Sequence, residues 1–335
     1  MPANGAVIET VAYARAGLLG NPTDGYFGKT LAVTVRNFRS RTRLYPSARL
    51  EIRLSAADVP VWDNLGQLRA HTRWRGYYGG IRIIRALIMR FSDYCLAEGI
   101  ELHDRNFTIE YESNIPLRLG LGGSSAIVTS ALRALMAYFD VDIPPAVQAN
   151  LVLETETREL GVSAGLQDRV VQVYEGLVYM DFNRARMEAT GAGDYESMDP
   201  GLLPNLYVAY RTKLSEGTEV FHNDLRKRYD SGDPAVRSAM LQWAAMASEG
   251  RAALLAGDVR RFGELIDANF DLRSQVYAIS PKNLEMVRAA RSTGATAKFA
   301  GSGGAIIGTY RDDEHFRTLK AALAELDIET VRPVV

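Results

Sequence analysis

Cysteine and histidine are scarce in this sequence, which limits the cross-links and metal sites it can form. The single cysteine, Cys95, has no partner for an internal disulfide or a cysteine-built zinc site. Its apolar neighbours Phe91, Tyr94 and Leu96 predict a buried thiol on a helix. The four histidines show no HExxH or similar spacing, so a metal would have to be held by oxygen ligands.

Long apolar runs and net charge are lacking as well. No stretch approaches the roughly 20 apolar residues that cross a bilayer, and the N-terminus lacks the pattern of a signal peptide, so we expect a cytoplasmic protein. Lysine and arginine number 39 against 40 acidic residues, so no overall field favours nucleic acid or a membrane as partner. The 47% of apolar residues excludes a disordered chain.

The length of the chain predicts two domains. Its 335 residues exceed the roughly 250–300 at which a single hydrophobic core stops growing. Helical and strand periodicity is lost over 184–204, where Gly, Asp and Pro gather, and we place the crossing between domains there. The prediction is an N-terminal domain over 1–190 and a C-terminal domain over 200–335, with a cleft between them.

Hydrophobic periodicity predicts an α+β fold in both halves. The predicted strands of the first half are 7–19, 30–36, 41–45, 49–54, 107–113 and 177–182, and its predicted helices are about 79–98, 125–139 and 145–160. In the second half the strand segments LYVAYRT, ATAKFAG, AIIGTY and IETVRPV accompany helices at about 216–230, 234–256, 258–278, 282–293 and 313–325. This order predicts a small sheet backed by helices.

A glycine-rich segment joins the strand at 107–113 to the helix at 125–139. Strand, glycine loop and helix in this order let backbone N–H groups and the positive helix end converge on a phosphate. A serine-capped turn is the alternative, and the segment alone does not decide between them. It contains neither GK[ST] nor GxGxxG, which disfavours a P-loop enzyme and a dehydrogenase. The candidate phosphate-binding residues are Gly120, Leu121, Gly122, Gly123, Ser124, Ser125 and Ala126.

A second glycine cluster, Gly301, Ser302, Gly303 and Gly304, lies between two predicted strands of the second half. By itself it is typical of a tight turn. One such cluster in each domain would suit a nucleotide clasped where the domains meet.

Carboxylates near these loops are candidates for catalysis and metal binding. Asp168 stands directly before an apolar helix with Arg169 beside it, where a helix-capping acid is the alternative. An oxygen-only Mg²⁺ site needs a carboxylate near phosphates and a hydroxyl, which Glu156 and Ser125 would supply. Spacing alone does not choose Glu156 over Glu154 or Glu159.

Three segments together resemble motifs of the GHMP kinases, the galacto-, homoserine, mevalonate and phosphomevalonate kinases. They are ARAGLLGNPTD, PLRLGLGGSSA and KFAGSGGAIIG, and they occur in that order. Within the family the chain is most similar to the plant-type glucuronokinases, through segments that include GYYGGIRI and ELGVSAGLQDRVVQVYEGLVYMDF. The resemblance implies a ribosomal S5-like N-terminal lobe, a ferredoxin-like C-terminal lobe, and ATP and Mg²⁺ bound between them. It also implies phosphorylation of the anomeric hydroxyl of D-glucuronate, giving the 1-phosphate and ADP.

The resemblance also implies a role for each candidate residue. Asp168 matches the catalytic aspartate that accepts or orients the hydroxyl proton, and Arg15 matches the cation beside it. Ser125 and Glu156 match the Mg²⁺ ligands. The glycines at 120–124 would cradle the triphosphate, and those at 301–304 would close over nucleotide and sugar. Thr23 and Asp24 match a pair that binds substrate hydroxyls in sugar-1-kinases.

Departures from the family pattern bear on the substrate. Asn21-Pro22 replaces the Glu-His that precedes this Thr-Asp in galactokinases, which argues against galactose. Arg169 stands where relatives acting on neutral sugars often carry Gln, and we expect Arg169, Lys29 or Arg118 to pair with the uronate carboxylate. The aromatic candidates for contacting adenine are Trp62, Trp74 and Tyr77, for which ordinary packing is the alternative.

Other functions stay open at this stage. Another sugar-1-kinase, acting on galacturonate, a heptose phosphate or a neutral hexose, is the nearest alternative. A non-catalytic protein of the same fold would not need a base and metal ligands, so the presence of Arg15, Asp24, Ser125, Glu156 and Asp168 argues against it. The sequence does not indicate an oligomeric state.

Overall fold

A computed structural model of the chain describes residues 6–53, 55, 63–67, 69, 79–211 and 220–335. They form two antiparallel-rich sheets with helices packed on them, as the α+β prediction expects. The first sheet has the order β3-β4-β2-β5-β6, with β1 paired to β2. Its strands are β1 (Ile8–Leu19), β2 (Lys29–Pro46), β3 (Glu51–Ile52), β4 (Phe107–Ser113), β5 (Leu177–Asp181) and β6 (Asp194–Met198).

Strand β2 is longer than predicted and organises the first sheet. The prediction of separate strands at 30–36 and 41–45 is wrong, because both segments belong to this one 18-residue strand. The register with β1 shifts between Tyr13 and Ala14, where Tyr13 faces Arg39 and Ala14 faces Val35. The extra residues of β2 form a bulge that bends the strand without ending it. One edge of β2 pairs with β1, and the other with β4 and β5.

The helices of the first half cover this sheet and bury a core between them. Cys95 lies in that core, so the predicted buried thiol is confirmed. The last turn before Leu160 is a π-helix, Thr155–Glu159. This form is rare in proteins overall but common at functional sites. The helices are α1 (Gly80–Ala97), α2 (Gly123–Phe139), α3 (Pro145–Glu154), α4 (Gln167–Tyr174) and α5 (Arg184–Thr190).

The second half forms a four-stranded antiparallel sheet of order β10-β7-β9-β8, backed by helices as predicted. Its strands are β7 (Leu206–Arg211), β8 (Lys298–Phe299), β9 (Ala305–Thr309) and β10 (Ile328–Val331). Its helices are α6 (Val220–Asp230), α7 (Pro234–Leu255), α8 (Val259–Val276), α9 (Pro281–Ser292) and α10 (Asp313–Ala324). Aspartate side chains cap α7, α8 and α10 at Asp233, Asp258 and Asp312.

The two halves meet across a shared apolar core. Leu18 and Leu19 of β1 belong to one buried cluster with Val208 of β7, Phe262 of α8 and Ala300. The segment expected to cross between domains contains β6, which pairs with β5 in the first sheet. The predicted division of the chain into two domains at 190–200 is not tested by the fold and stays a prediction. The first sheet itself continues to Met198. Among the described helices, none is long and apolar enough to span a membrane.

Candidate active site

The predicted phosphate loop lies between β4 and α2, where the strand–loop–helix order placed it. Gly122 is the residue before the helix and has φ 75°, a left-handed conformation that favours glycine. A Cβ atom there would lie 2.8 Å from Gln172 Nε2, which donates a hydrogen bond to Gly122 O. Glycine offers no side-chain acceptor to the first-turn N–H groups, so this helix end suits an anionic ligand. Gly123, Ser124, Ser125 and Ala126 form that first turn.

The structure brings the two glycine clusters into direct contact. A Cβ atom on Gly120 would lie 2.7 Å from Ser302 N, and one on Gly301 would lie 2.2 Å from Gly120 O. Neither position therefore accepts a side chain without moving the opposite loop. This close approach explains the glycine at position 120 and the one at position 301, and neither segment reveals it in its own sequence.

Arg15 of β1 connects both loops to Asp168. Its Nε donates to Asp168 Oδ1 at 2.6 Å, and its Nη2 lies 2.5 Å from Oδ2. Its Nη1 donates to Gly120 O at 2.5 Å and to Ala300 O at 3.1 Å. Burial acts to raise the pKa of Asp168, but the charges of Arg15 and Arg169 and the hydrogen bond from Arg15 outweigh it and hold that pKa below its usual value. The carboxylate is thus ionised and fixed in orientation.

Asp24 lies in the short 3₁₀-helix Thr23–Tyr26 and faces the start of α4. Its Oδ2 accepts a hydrogen bond from Gln167 N at 3.1 Å, and a Cβ atom on Gly165 would lie 2.0 Å from that oxygen. Burial, followed by the charge of Asp168, raises the pKa of Asp24 to about 6. The carboxyl groups of Asp24 and Asp168 therefore titrate in different pH ranges, Asp24 above and Asp168 below the usual pKa of an aspartate.

Thr23 does not have the position expected of a sugar contact. Its side chain is fully buried, and its hydroxyl donates to Lys29 O at 2.8 Å. A Cβ atom on Gly28 would lie 2.4 Å from Thr23 Cβ. Thr23 therefore shapes the turn that presents Asp24.

Arg169 has a different partner from the one expected. Its Nε donates to Glu156 Oε2 at 3.0 Å, its Nη2 lies on the same oxygen, and its Nη1 donates to Gly165 O at 2.9 Å. Both residues are buried, and a buried carboxylate requires such a counter-charge. The guanidinium is therefore already engaged by a carboxylate of the protein.

Lys29 and Arg118 are the other cations expected to meet the substrate carboxylate. Lys29 Nζ lies 3.0 Å from Asp181 Oδ2 at the sheet edge, and Arg118 has a left-handed φ of 58° before the phosphate loop. Trp62, Trp74 and Tyr77 lie outside the described residues. In the part of the chain that the structure describes, no group of three His, Cys, Asp or Glu side chains is arranged to hold a metal.

Two buried basic side chains of the second half lie beside the site, and the sequence analysis assigned a role to neither. Lys298 Nζ donates to Gly17 O at 2.6 Å, Asn21 Oδ1 at 2.8 Å and Phe299 O at 2.8 Å. Arg273 donates to Gly301 O at 3.0 Å and Ser302 O at 3.2 Å. Lys298 is part of the KFAGSGGAIIG segment. Because lysine is mostly exposed in proteins, nothing in the sequence indicates that this one is buried.

Known proteins match this chain along most of its length. Residues 82–176 match the GHMP kinases N terminal domain, and residues 251–328 match the GHMP kinases C terminal domain. Probable glucuronokinase 2 and glucuronokinase 1 of Arabidopsis thaliana are 44% and 42% identical to it over 308 residues, 90% of this chain and 84% of each relative.

The fold has counterparts among solved structures as well. Lactococcus lactis galactokinase complexed with galactose aligns with a TM-score of 0.79 and 16% identity, covering 98% of this chain and 93% of that one. At this identity the likeness concerns the fold alone, and it agrees with the predicted two-lobe α+β architecture. Since both family domains are matched and the Arabidopsis relatives are similar across 90% of its length, the chain belongs to the GHMP kinase family.

Proposed function

We propose that this chain is a glucuronokinase, which transfers the γ-phosphate of ATP to the anomeric hydroxyl of D-glucuronate and releases glucuronate 1-phosphate and ADP. The observation that carries the proposal is the Arg15–Asp168 pair, fixed at the contact of the two glycine loops with Asp24 close by. The identity of 44% and 42% to two Arabidopsis glucuronokinases supports the choice of substrate. ATP would bind the phosphate loop at 120–126, and the loop at 301–304 would cover nucleotide and sugar.

Asp168 would act on the anomeric hydroxyl of the sugar. A carboxylate whose pKa is held low is a weak base, so its first task is to accept the hydroxyl hydrogen bond and aim the oxygen at the γ-phosphorus. The proton moves to a carboxylate oxygen only as the new O–P bond forms. Arg15 keeps both Asp168 oxygens in place and supplies positive charge near the transferring oxygens.

Ser125 and Glu156 are the proposed ligands of Mg²⁺, and their contacts fit that role. Both hydrogen bonds from Arg169 fall on Glu156 Oε2, so among the described residues Oε1 has no protein donor. Ser125 Oγ donates to Gly122 O at 3.1 Å and keeps its lone pairs for a cation. One carboxylate and one hydroxyl suffice, because Mg²⁺ completes its octahedron with water and substrate phosphates. When bound, Mg²⁺ would neutralise charge on the phosphate oxygens.

A panel of sugars tests the proposed function. ADP release is measured with ATP, Mg²⁺ and D-glucuronate, D-galacturonate, D-glucose or a heptose phosphate, and the position of the phosphate is read by NMR. We expect the highest kcat/KM with D-glucuronate and phosphate on the anomeric oxygen. A higher kcat/KM with another sugar would make that sugar the substrate in place of D-glucuronate. No ADP release with any sugar would favour a non-catalytic binding protein of this fold.

The raised pKa of Asp24 predicts a pH-dependent affinity for the sugar. If its carboxylate accepts hydrogen bonds from sugar hydroxyls, lowering the pH from 7 to 5 protonates it and should raise the Kd about tenfold. Titration calorimetry without ATP measures this, because the γ-phosphate titrates in the same range. Asp24→Asn should bind more weakly at pH 7 and show a flat profile. An unchanged inflection in that variant would assign the titration to another group.

The same titration should be visible in stability. Because the pKa is about 6 in the folded state and 3.8 in the unfolded state, folding takes up a proton between these values. Ionised Asp24 therefore destabilises the fold above pH 6, and this penalty is relieved as the pH falls from 6 towards 3.8. Compared with Asp24→Asn, the parent chain should gain stability over that interval.

A further inference from the structure

The last turn of α8 places a buried arginine beside the second glycine loop. Arg273 is 6% exposed, and its guanidinium carbon lies 5.0 Å from the ring centre of Tyr277 and 5.1 Å from that of Phe299. Its guanidinium donates hydrogen bonds to the backbone carbonyls of Gly301 and Ser302. The two rings and the two carbonyls together hold the side chain in place.

Arg273 differs from the other site arginines in having no acidic partner. Arg15 pairs with Asp168, and Arg169 pairs with Glu156. In the described part of the chain, Arg273 forms no ion pair and Lys298 contacts only neutral oxygens. Burial lowers the pKa of Arg273, which reflects the free energy required to keep its charge out of water. Burial, with the charges of Arg273 and Arg15, lowers the pKa of Lys298 well below its usual value, and protein oxygens accept its three hydrogen bonds. The buried guanidinium of Arg273 is therefore the group that makes this side of the site suited to an anionic ligand.

Tyr277, one turn further along, adds an unsatisfied hydroxyl. Its oxygen is shielded from solvent and has no hydrogen-bond partner among the described residues. Burial raises the pKa of Tyr277 to about 12, with Arg273 opposing this and the charges of Tyr26 and Asp24 adding to it. The hydroxyl thus lies within electrostatic reach of both Arg273 and the turn that presents Asp24. Buried hydroxyls without a partner are rare, and a ligand acceptor would satisfy this one.

The donors available match a carboxylate. An arginine has five N–H donors and the two carbonyls use two of them, so three remain on Arg273. A planar carboxylate can accept two parallel hydrogen bonds from a guanidinium and a third from the tyrosine hydroxyl. Arg169 is less suited, because Glu156 and Gly165 already engage its guanidinium.

We propose that Arg273 and Tyr277 bind the carboxylate of the sugar acid and give the enzyme its preference for a uronate over a neutral sugar. This inference rests on the proposed function, since it concerns the substrate of the same site. It assigns specificity to the C-terminal lobe, while Asp168 and Asp24 of the N-terminal lobe contact hydroxyls.

The test compares D-glucuronate with D-glucuronamide, its neutral isostere, in binding to the full chain with a non-hydrolysable ATP analogue and Mg²⁺. Arg273→Met keeps an apolar side chain in contact with the two rings, and Tyr277→Phe removes only the hydroxyl. Arg288→Met, at an exposed position of α9, is the control for loss of one positive charge. We expect Arg273→Met to raise the Kd of glucuronate about 30-fold and that of glucuronamide less than threefold. Tyr277→Phe should raise the Kd of glucuronate about fivefold, and Arg288→Met should change neither.

Other outcomes separate the competing explanations. An equal loss of both ligands in Arg273→Met would mean that the arginine only supports the loop. Arg273→Met could instead bind the ATP analogue more weakly in the absence of sugar and keep the preference for glucuronate over glucuronamide. That result would assign Arg273 to a nucleotide phosphate. Either result overturns this inference and leaves the proposed function standing. If the parent chain phosphorylates a different sugar and does not bind glucuronate, the proposed function itself fails.

Discussion

Replacing Asp168 with asparagine should lower kcat about 10³- to 10⁴-fold, with the KM values of ATP and glucuronate changed less than about threefold. Asparagine preserves the shape of the side chain and one acceptor oxygen, so substrates still bind. It cannot take up the hydroxyl proton, and its amide nitrogen faces the Arg15 donors that now contact a carboxylate. Initial rates of ADP release, with both substrates varied, measure the effect.

The control for this variant is an ion pair away from the glycine loops. Glu196 accepts hydrogen bonds from Arg251 at 2.8 and 2.9 Å on partly exposed surface. Glu196→Gln should leave kcat within twofold of the parent and lower stability by less than about 1 kcal/mol. Asp168→Asn also leaves Arg15 buried without its counter-charge, so its unfolding midpoint is measured beside its kinetics. Retention of more than a tenth of the parent kcat in a folded Asp168→Asn chain would disprove the assigned role.

Local sequence pattern predicted the elements that carry the site and left its contacts open. The position of the candidate phosphate loop could be predicted because strand, glycines and helix are adjacent in sequence, and that order suits an anion-binding helix end. The Arg15–Asp168 pair joins residues 153 positions apart, and no spacing rule connects them. Their pairing was expected only through the family resemblance. The length of β2 was missed because its bulge interrupts the alternation of apolar residues.

The charge contacts that the sequence did not predict share one physical cause. Arg169 was expected to meet the substrate carboxylate because relatives acting on neutral sugars often carry Gln there and a bidentate arginine suits a planar carboxylate. The π-helical turn holds Glu156 where it binds that arginine instead, and helix periodicity does not predict such a turn. Arg273 and Lys298 were overlooked for the same reason, since composition gives no measure of which cations a fold buries. Burial of charge depends on tertiary packing, which a single sequence does not specify.

The Glu156–Arg169 pair predicts a large loss of stability from one substitution and its recovery from a second. Glu156→Leu removes the close partner of the buried Arg169 guanidinium and leaves it only Asp168, whose Oδ2 lies 3.6 Å from Arg169 Nη1. The free energy of unfolding should fall by about 3 kcal/mol. The double variant Glu156→Leu/Arg169→Met replaces both charges with apolar groups and should regain most of that loss. Urea unfolding followed by circular dichroism measures both chains against the parent.

Activity in the same two variants separates a structural carboxylate from a metal ligand. If Glu156 holds Mg²⁺ through its Oε1 atom, the double variant stays impaired and needs more Mg²⁺ for half-maximal rate, although its stability has returned. If Glu156 serves only to neutralise Arg169, removing both charges restores the stability and leaves the Mg²⁺ concentration for half-maximal rate unchanged. The rate itself does not decide between the two roles, because Arg169 Nη1 also lies 3.6 Å from Asp168 Oδ2. The second outcome would withdraw Glu156 from the metal site and leave Ser125 as its proposed protein ligand. Stability and Mg²⁺ dependence therefore have to be measured on the same preparations, because only their divergence supports the metal role.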